Sequence, residues 1–375
     1  MLVAKRLTIV TLQFNLISIT VPFLNNLRSF IKYLREITPY FRKASIISEI
    51  GWELQRGFLS SEPPSPRSPQ RADTRYLPLQ LCYLIRNFRH ADSENRTLEL
   101  HSPDSVHACV LRAVDSAEAG AWFNTLHSTL TLLTEKALKV ASNALSNILG
   151  ELKHIGWLSR KPPCLNGRSS SESSEDSERW QSIFAAVTDR ELRLYESAPW
   201  SIEAWASSVE TYPLLSTRLV SSSRQTDSIV FNIRCGTGEG VVTHYLRTET
   251  HRDLAAWART LVQGAHQCVL NQRELVCRCL YQGQPCQLIL HYENGFKLIE
   301  RTSGMSSLGR DTRVLWAYPF EKLRASADDG NRLLWLDFGS EDGEIELDLE
   351  ACPKPMVFIL HNFLSAKIHR LGLIA

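Results

Sequence analysis

The chain has 375 residues, room for two or three domains that each bury a core of their own. Lys and Arg number 42 against 40 Asp and Glu, a net charge of +2, so no strongly basic field points to nucleic acid. The nine cysteines (82, 109, 164, 235, 268, 277, 279, 286, 352) fit no secreted disulfide framework. Cys277, Cys279 and Cys286 cluster without the paired spacing of a zinc site, so buried cytosolic thiols are expected, with no metal or cofactor.

Residues 1–28 are left unassigned. Lys5 and Arg6 precede an apolar-rich run from Leu7 to Leu24, which Thr8, Thr11, Gln13, Asn15, Ser18 and Thr20 interrupt. That run is too polar for a membrane span and lacks the small-residue cleavage site of a signal peptide, so a β-rich or poorly ordered segment is expected. Within residues 29–53 (SFIKYLREITPYFRKASIISEIGWE), Phe30–Leu34 reads as a strand, and Pro39 breaks the stretch after it. Residues 54–74, centred on EPPSPRSPQR, are a linker held extended by its prolines. Ser65 and Ser68 each precede a proline and are candidate phosphosites, with an unmodified spacer the preferred reading.

Residues 75–150 carry three short strand patterns, LPLQLCYLI, RTLELHS and HACVLRA, and then a helix. Asp92-Ser93-Glu94-Asn95 and Ser102-Pro103-Asp104 are turn signals. Residues 151–270 begin with KHIGWLSR, which sets Ile155 and Trp157 on one face. An insertion, PPCLNGRSSSESSEDSER, separates it from QSIFAAVTDRELRLYES. Ser169 and Ser173 each have an acid three residues on, as acidophilic kinases prefer, and are candidate phosphosites in what reads best as a plain flexible loop.

Residues 271–375 form another unit. LILHYENGFKLI is a hairpin in which Asn294-Gly295 is expected to supply the positive φ angles. Asp328-Asp329-Gly330 marks a second turn. In EIELDL, Ile345, Leu347 and Leu349 face in, while Glu346 and Asp348 face out. Pro353 and Pro355 open a helix with Met356, Leu360, Phe363, Leu364, Ile368 and Leu371 in one stripe. Lys367, His369 and Arg370 suit its C-terminal end.

Two of these stretches repeat one another. Leu111, Arg112, Ala121, Trp122, Thr125 and Leu126 recur as Leu246, Arg247, Ala256, Trp257, Thr260 and Leu261, at a constant offset of 135 residues. The helix start recurs too: Thr250 with Asp253, and Asp115 with Glu118, have capping-box spacing. A repeat that keeps cap, spacing and core residue indicates a duplicated unit, with Trp122, Trp257 and Leu261 as structural core. Strands closed by a C-terminal amphipathic helix with a core tryptophan resemble the pleckstrin-homology (PH) domain. The fold class is therefore α+β: β-rich PH-like barrels or sheets, each closed by a C-terminal helix, plus a C-terminal β-meander-and-helix unit.

KYLREITPY, NRTLELHSPDS, KHIGWL, YPLLSTRLV, HYENGF, SADDG, LDFG, GEIELDL, CPKP and FLSAKIHRLGL resemble the syntrophins, in that family's order and over roughly residues 31–375. The resemblance implies a cytoplasmic adaptor of the dystrophin complex. It implies a remnant of the PDZ C-terminal end at 29–53 and the C-terminal half of PH domain 1 at 75–150. PH domain 2 comes next at 151–270, then the syntrophin-unique C-terminal region at 271–375. The front half of the first PH domain and the glycine-rich PDZ loop are not visible in residues 1–28, so the chain reads as a shortened form or as a sequence whose first exons are missing, and capture of PDZ ligands does not transfer to it.

The implied partners are the C-terminal regions of dystrophin, utrophin or dystrobrevin, with calmodulin, actin and acidic lipid as further ones. The tentative protein-binding residues are Phe363, Lys367, His369, Arg370 and Leu371. The implied location is cytoplasmic, peripheral to the membrane at the sarcolemma or cell junction, and cytoskeleton-associated. The alternative is a phosphoinositide-binding peripheral membrane module. Against it, Arg160, Lys161 and Arg168 face Glu172, Glu175, Asp176 and Glu178 in the hairpin where PH domains grip phosphate. An enzyme is not expected. Asp337-Phe338-Gly339 spells the kinase metal triplet, but no glycine-rich or H-R-D loop precedes it. The neighbouring acids Asp328, Asp329, Glu341, Asp342 and Glu344 lack calcium-loop spacing.

Overall fold

The structure, a computed structural model, describes residues 9–14, 17–22, 77–161, 180–225, 228–301, 313–339 and 343–372. The expected strand at Phe30–Leu34, the linker, Ser65, Ser68, Ser169, Ser173 and most of the hairpin insertion lie outside the described residues.

Nineteen strands are described, in three sheets. The first holds β1 (Ile9–Phe14), β2 (Ile17–Pro22), β3 (Tyr83–Ile85), β4 (Thr97–His101) and β5 (Ala108–Arg112), in the order β3-β4-β5-β1-β2. The second holds β6 (Leu152–Arg160), β7 (Gln181–Thr188), β8 (Glu191–Tyr195), β9 (Glu210–Pro213), β10 (Thr217–Gln225), β11 (Ser228–Thr237) and β12 (Gly240–Thr248). Its order is β10-β11-β12-β6-β7-β8-β9. The third holds β13 (Glu274–Tyr281), β14 (Gln284–His291), β15 (Gly295–Glu300), β16 (Val314–Tyr318), β17 (Ala325–Asp328), β18 (Leu333–Asp337) and β19 (Glu344–Asp348). Its order is β17-β18-β19-β13-β14-β15-β16.

One connectivity therefore recurs three times. Each sheet sets the last strand before its closing helix (β5, β12, β19) beside the first strand of its set (β1, β6, β13). The fold class is the expected α+β one. Within residues 1–28 the described strands fit the β-rich alternative of the expectation, whereas the full third copy at the C-terminus was not expected from the sequence. The residues left unassigned at the N-terminus supply β1 and β2, with Gln13 opposite Val110 of β5. The C-terminal meander and helix is a full seven-stranded copy of the second sheet's order.

The closing helices are α1 (Ser116–Leu149), α3 (His251–Gln272) and α4 (Lys354–Arg370); α2 (Ile202–Ala206) is a short insert. The repeated caps form as expected. Thr250 Oγ1 accepts from Asp253 N at 3.1 Å and donates to Asp253 Oδ2 at 2.7 Å. Asp115 Oδ1 accepts from Glu118 N at 2.8 Å, while Val114 N donates to Glu118 Oε2 at 3.1 Å. Trp122, Trp257 and Leu261 are buried on the inner faces of these helices.

The β14–β15 turn differs from the expected two-residue form. His291 opposes Gly295, so Tyr292, Glu293 and Asn294 make a three-residue loop. Gly295 alone of Asn294 and Gly295 has positive φ, at 84°. A three-residue loop closed by one left-handed glycine is the bulged alternative to the tight primed turn.

The described chain forms two compact units. One comprises the residues up to Ser159 with 180–188 and 193–211; the other comprises Arg160, Lys161, 189–192 and the residues from Tyr212 onward. In the first unit α1 runs 34 residues, longer than its own sheet needs. Its first half buries Ala119, Trp122, Phe123, Leu126 and Leu130 against Leu84, Leu98 and Leu100. Its second half buries Ala137, Ala141, Leu145 and Leu149 with Ile155, Phe184, Tyr195 and Trp205. One helix thus serves two cores. Trp157 Nε1 donating to Leu81 O at 2.7 Å and the Tyr83–Ser159 hydroxyl bond at 2.7 Å fix the same junction.

Candidate functional site at the terminal helix

In the second unit the tentative binding residues all fall on or just after α4. Pro353 caps it, a second proline occupies its first turn, and Lys367, His369 and Arg370 occupy its last. Such an order suits the fixed φ of proline at helix starts and cations at helix ends. None of the residues 354–368 is exposed, unusual for a helix on the rim of a small domain.

Two opposite faces account for this. One buries Met356, Leu360, Phe363 and Ala366 in the third sheet's core, with Leu288, Leu298, Leu334 and Leu347. The other faces β10, β11, the 3-10 turn 214–216 and α3. At its start, Gly236 of β11 lies so close that a Cβ there would come within 2.7 Å of Lys354 O and 3.1 Å of Phe358 Cδ2. Further along, Asn362 is buried and its Nδ2 donates to Leu215 O at 2.7 Å, Thr217 O at 3.2 Å and Leu214 O at 3.3 Å. Ser365 Oγ shares a hydrogen bond with His266 Nε2 of α3 at 3.0 Å, and the His266 and His369 rings lie 5.2 Å apart. Burial, and then the charge of His369, hold His266 below its ordinary pKa.

The basic end is already engaged within the unit. Lys367 Nζ pairs with Glu321 at 3.1 Å and sits 5.0 Å from the centre of the Phe320 ring. Arg370 pairs with Glu293 and lies over the Tyr292 ring at 5.4 Å. The Arg370 hydrogen bond holds the Glu293 carboxyl below its usual range.

Of the five tentative binding residues, Phe363 is corrected. It is fully buried, because its position in the stripe points into the third sheet, so it supports the surface from within. His369, Arg370 and Leu371 are exposed and Lys367 is half-buried. Asn362, Gly236 and His266 were missed. An asparagine inside an apolar stripe was the one available signal, since a buried amide needs partners.

The remaining candidates resolve into structure. Asp329 Oδ1 accepts from the backbone N–H groups of Asn331, Arg332 and Leu333, and Asp337 Oδ1 accepts from Gly339 N, so these acids build turns. Cys279 and Cys286 face each other across β13 and β14, both buried, and burial pushes the Cys279 thiol up to about 12. Among the described residues, no three His, Cys, Asp or Glu gather to hold a metal. Among them, too, no helix is long and apolar enough to cross a membrane.

Comparison with known proteins agrees with this architecture. A family model described as the syntrophin C-terminal PH domain matches residues 270–373, and PH-domain models match residues 70–128 and 152–266. The chain is 40% identical to beta-2-syntrophin of Homo sapiens over 361 residues, covering 92% of this chain and 64% of that protein. The Mus musculus protein of the same name is also 40% identical, with 66% of it covered. The chain thus spans just under two thirds of these relatives' length. Syntrophin-1 of Caenorhabditis elegans is 37% identical over 313 residues, covering 81% of this chain and 67% of that protein. With that identity and span, and PH-like sheets matched along its length, the chain belongs to the syntrophin family.

Proposed function

We propose that this chain is a non-enzymatic adaptor that binds a helical segment of a dystrophin-family protein through the second PH domain and the C-terminal PH domain together. The observation that carries the reading is α4. One helix is clamped between the third sheet's core and the β10–β11 side of the second sheet, so the two contribute to one continuous, rigid surface. A binding surface gains from parts already held in place, because less freedom is lost on association. In this reading Phe363 and Asn362 hold the surface together, while His369, Arg370 and Leu371 sit at its rim.

Dystrophin, utrophin and dystrobrevin C-terminal segments are the partners the family suggests. The adaptor would then work in the cytoplasm at the membrane's inner face, beside the cytoskeleton. Calmodulin and actin are further family-suggested partners. The engagement of Lys367 by Glu321 and of Arg370 by Glu293 weighs against the basic tail as a free calmodulin target.

A pull-down with the full chain and immobilised C-terminal segments of the three proteins tests the proposal. Retention of at least one is expected. A folded chain that retains none of them would end the adaptor reading.

A further inference from the structure

The outer face of β10, β11 and β12, beside α4, carries a cationic patch. Arg218 of β10 lies directly opposite Arg234 of β11, and Thr243 of β12 is opposite Arg234 in turn. Residues paired this way share one face, with Cβ atoms about 4.5–5.5 Å apart. Both arginines are exposed. Among the described residues neither makes an ion pair or a side-chain hydrogen bond. Like charges set directly opposite each other destabilise a sheet. A fold that keeps such a pair unpaired presents a ready anion site.

The surroundings extend the patch. Tyr245 and Val241 flank Thr243 at two-residue spacing, so they share its face, and they are 39% and 41% exposed. Helix α4 walls one side, with Phe358 against Gly236. An exposed tyrosine on the face that carries two arginines is the composition that protein interfaces favour.

We propose that this patch docks a phosphorylated segment of a protein partner, the phosphate bridging the Arg218 and Arg234 guanidinium groups while its neighbours lie on Tyr245 and Val241. Charge complementarity selects the ligand. A phosphate monoester carries about −1.5 to −2 near neutral pH, matching two arginines, whereas one carboxylate leaves a positive charge over. The guanidinium fork also matches phosphate oxygens in bidentate geometry. The proposal goes beyond the dystrophin-family reading and does not depend on it.

The test uses the full chain and three fluorescent degenerate peptide pools that carry phosphoserine, serine or glutamate at one fixed position. Fluorescence anisotropy should show the phosphoserine pool binding the parent. Binding should weaken at least about tenfold in R218Q/R234Q, which loses both charged bidentate partners. Arg278→Gln, at an exposed site on β13, should bind as the parent does. Unaltered melting of all variants is the folding control. Four outcomes would overturn the proposal. The double variant binds like the parent, the serine or glutamate pool binds equally well, or R278Q weakens binding as much. Alternatively, phosphatidylcholine vesicles containing a phosphatidylinositol bisphosphate bind through these arginines while the peptides do not.

Discussion

Asn362 is the residue on which the α4 junction turns. Its amide donates to the Leu215, Thr217 and Leu214 carbonyls in and beside the 3-10 turn, at a site 5% exposed. Asn362→Leu keeps the size but removes the donors, which should cost about 1–3 kcal/mol, the usual range for stranding buried acceptors. Thermal melting measures this, and an unchanged midpoint would show that the amide is not needed. Glu99 poses a different test. Its Oε1 accepts from the N–H groups of Phe88, Arg89 and His90 at 3.1, 2.8 and 3.0 Å, and its Oε2 meets His101 Nε2 at 3.1 Å. Burial raises its pKa, but the hydrogen bonds from His101, His90 and Arg89 outweigh that and leave it below the ordinary value. A carboxyl whose folded pKa is depressed stabilises fully above its unfolded pKa, about 4.3, and loses that contribution as pH falls through the folded value. The stability gap between the parent and Glu99→Gln should therefore be widest at neutral pH and narrow in acid. A gap that stays constant on acidification would contradict this cause.

At the scale of elements, two glycines predict opposite outcomes. Gly120 lies within α1, and a Cβ there meets nothing within 4 Å. Gly120→Ala should stabilise by about 0.5–1 kcal/mol, the helical cost of glycine. A lowered melting point would mean that the helix start needs that flexibility. At Gly236 an added Cβ would press on the Lys354 backbone at 2.7 Å, which cannot rotate away as a side-chain tip can. Gly236→Ala should speed hydrogen exchange along α4, and unchanged protection would show that the helix does not depend on this contact. The repeated helices were legible because both keep a tryptophan and a polar cap. The C-terminal helix was legible as a helix but not as a third copy, because Pro353 begins it and no tryptophan marks it. The length of α1 was equally hidden. Beyond Leu130 its buried face is Ala137, Ala141 and Leu145, small or generic residues whose partners come from a later part of the chain. The hairpin β1–β2 reads as an interrupted apolar run until β5 is there to pair with it.

For the whole molecule, the family was legible and the working surface only in part. Motif order along the sequence identifies a syntrophin, but which side of α4 is free depends on two sheets that meet on it. The basic tail looked available in sequence because Glu293 and Glu321 lie far from it along the chain. In the proposed mode of binding, the second and C-terminal PH domains act as one body through α4. Hydrogen-exchange mapping of the full chain, with and without the dystrophin C-terminal segment, tests this directly. New protection is predicted on both sides of α4, in β10–β11 or α3 and in the third sheet. Protection confined to one side, with binding intact, would contradict it.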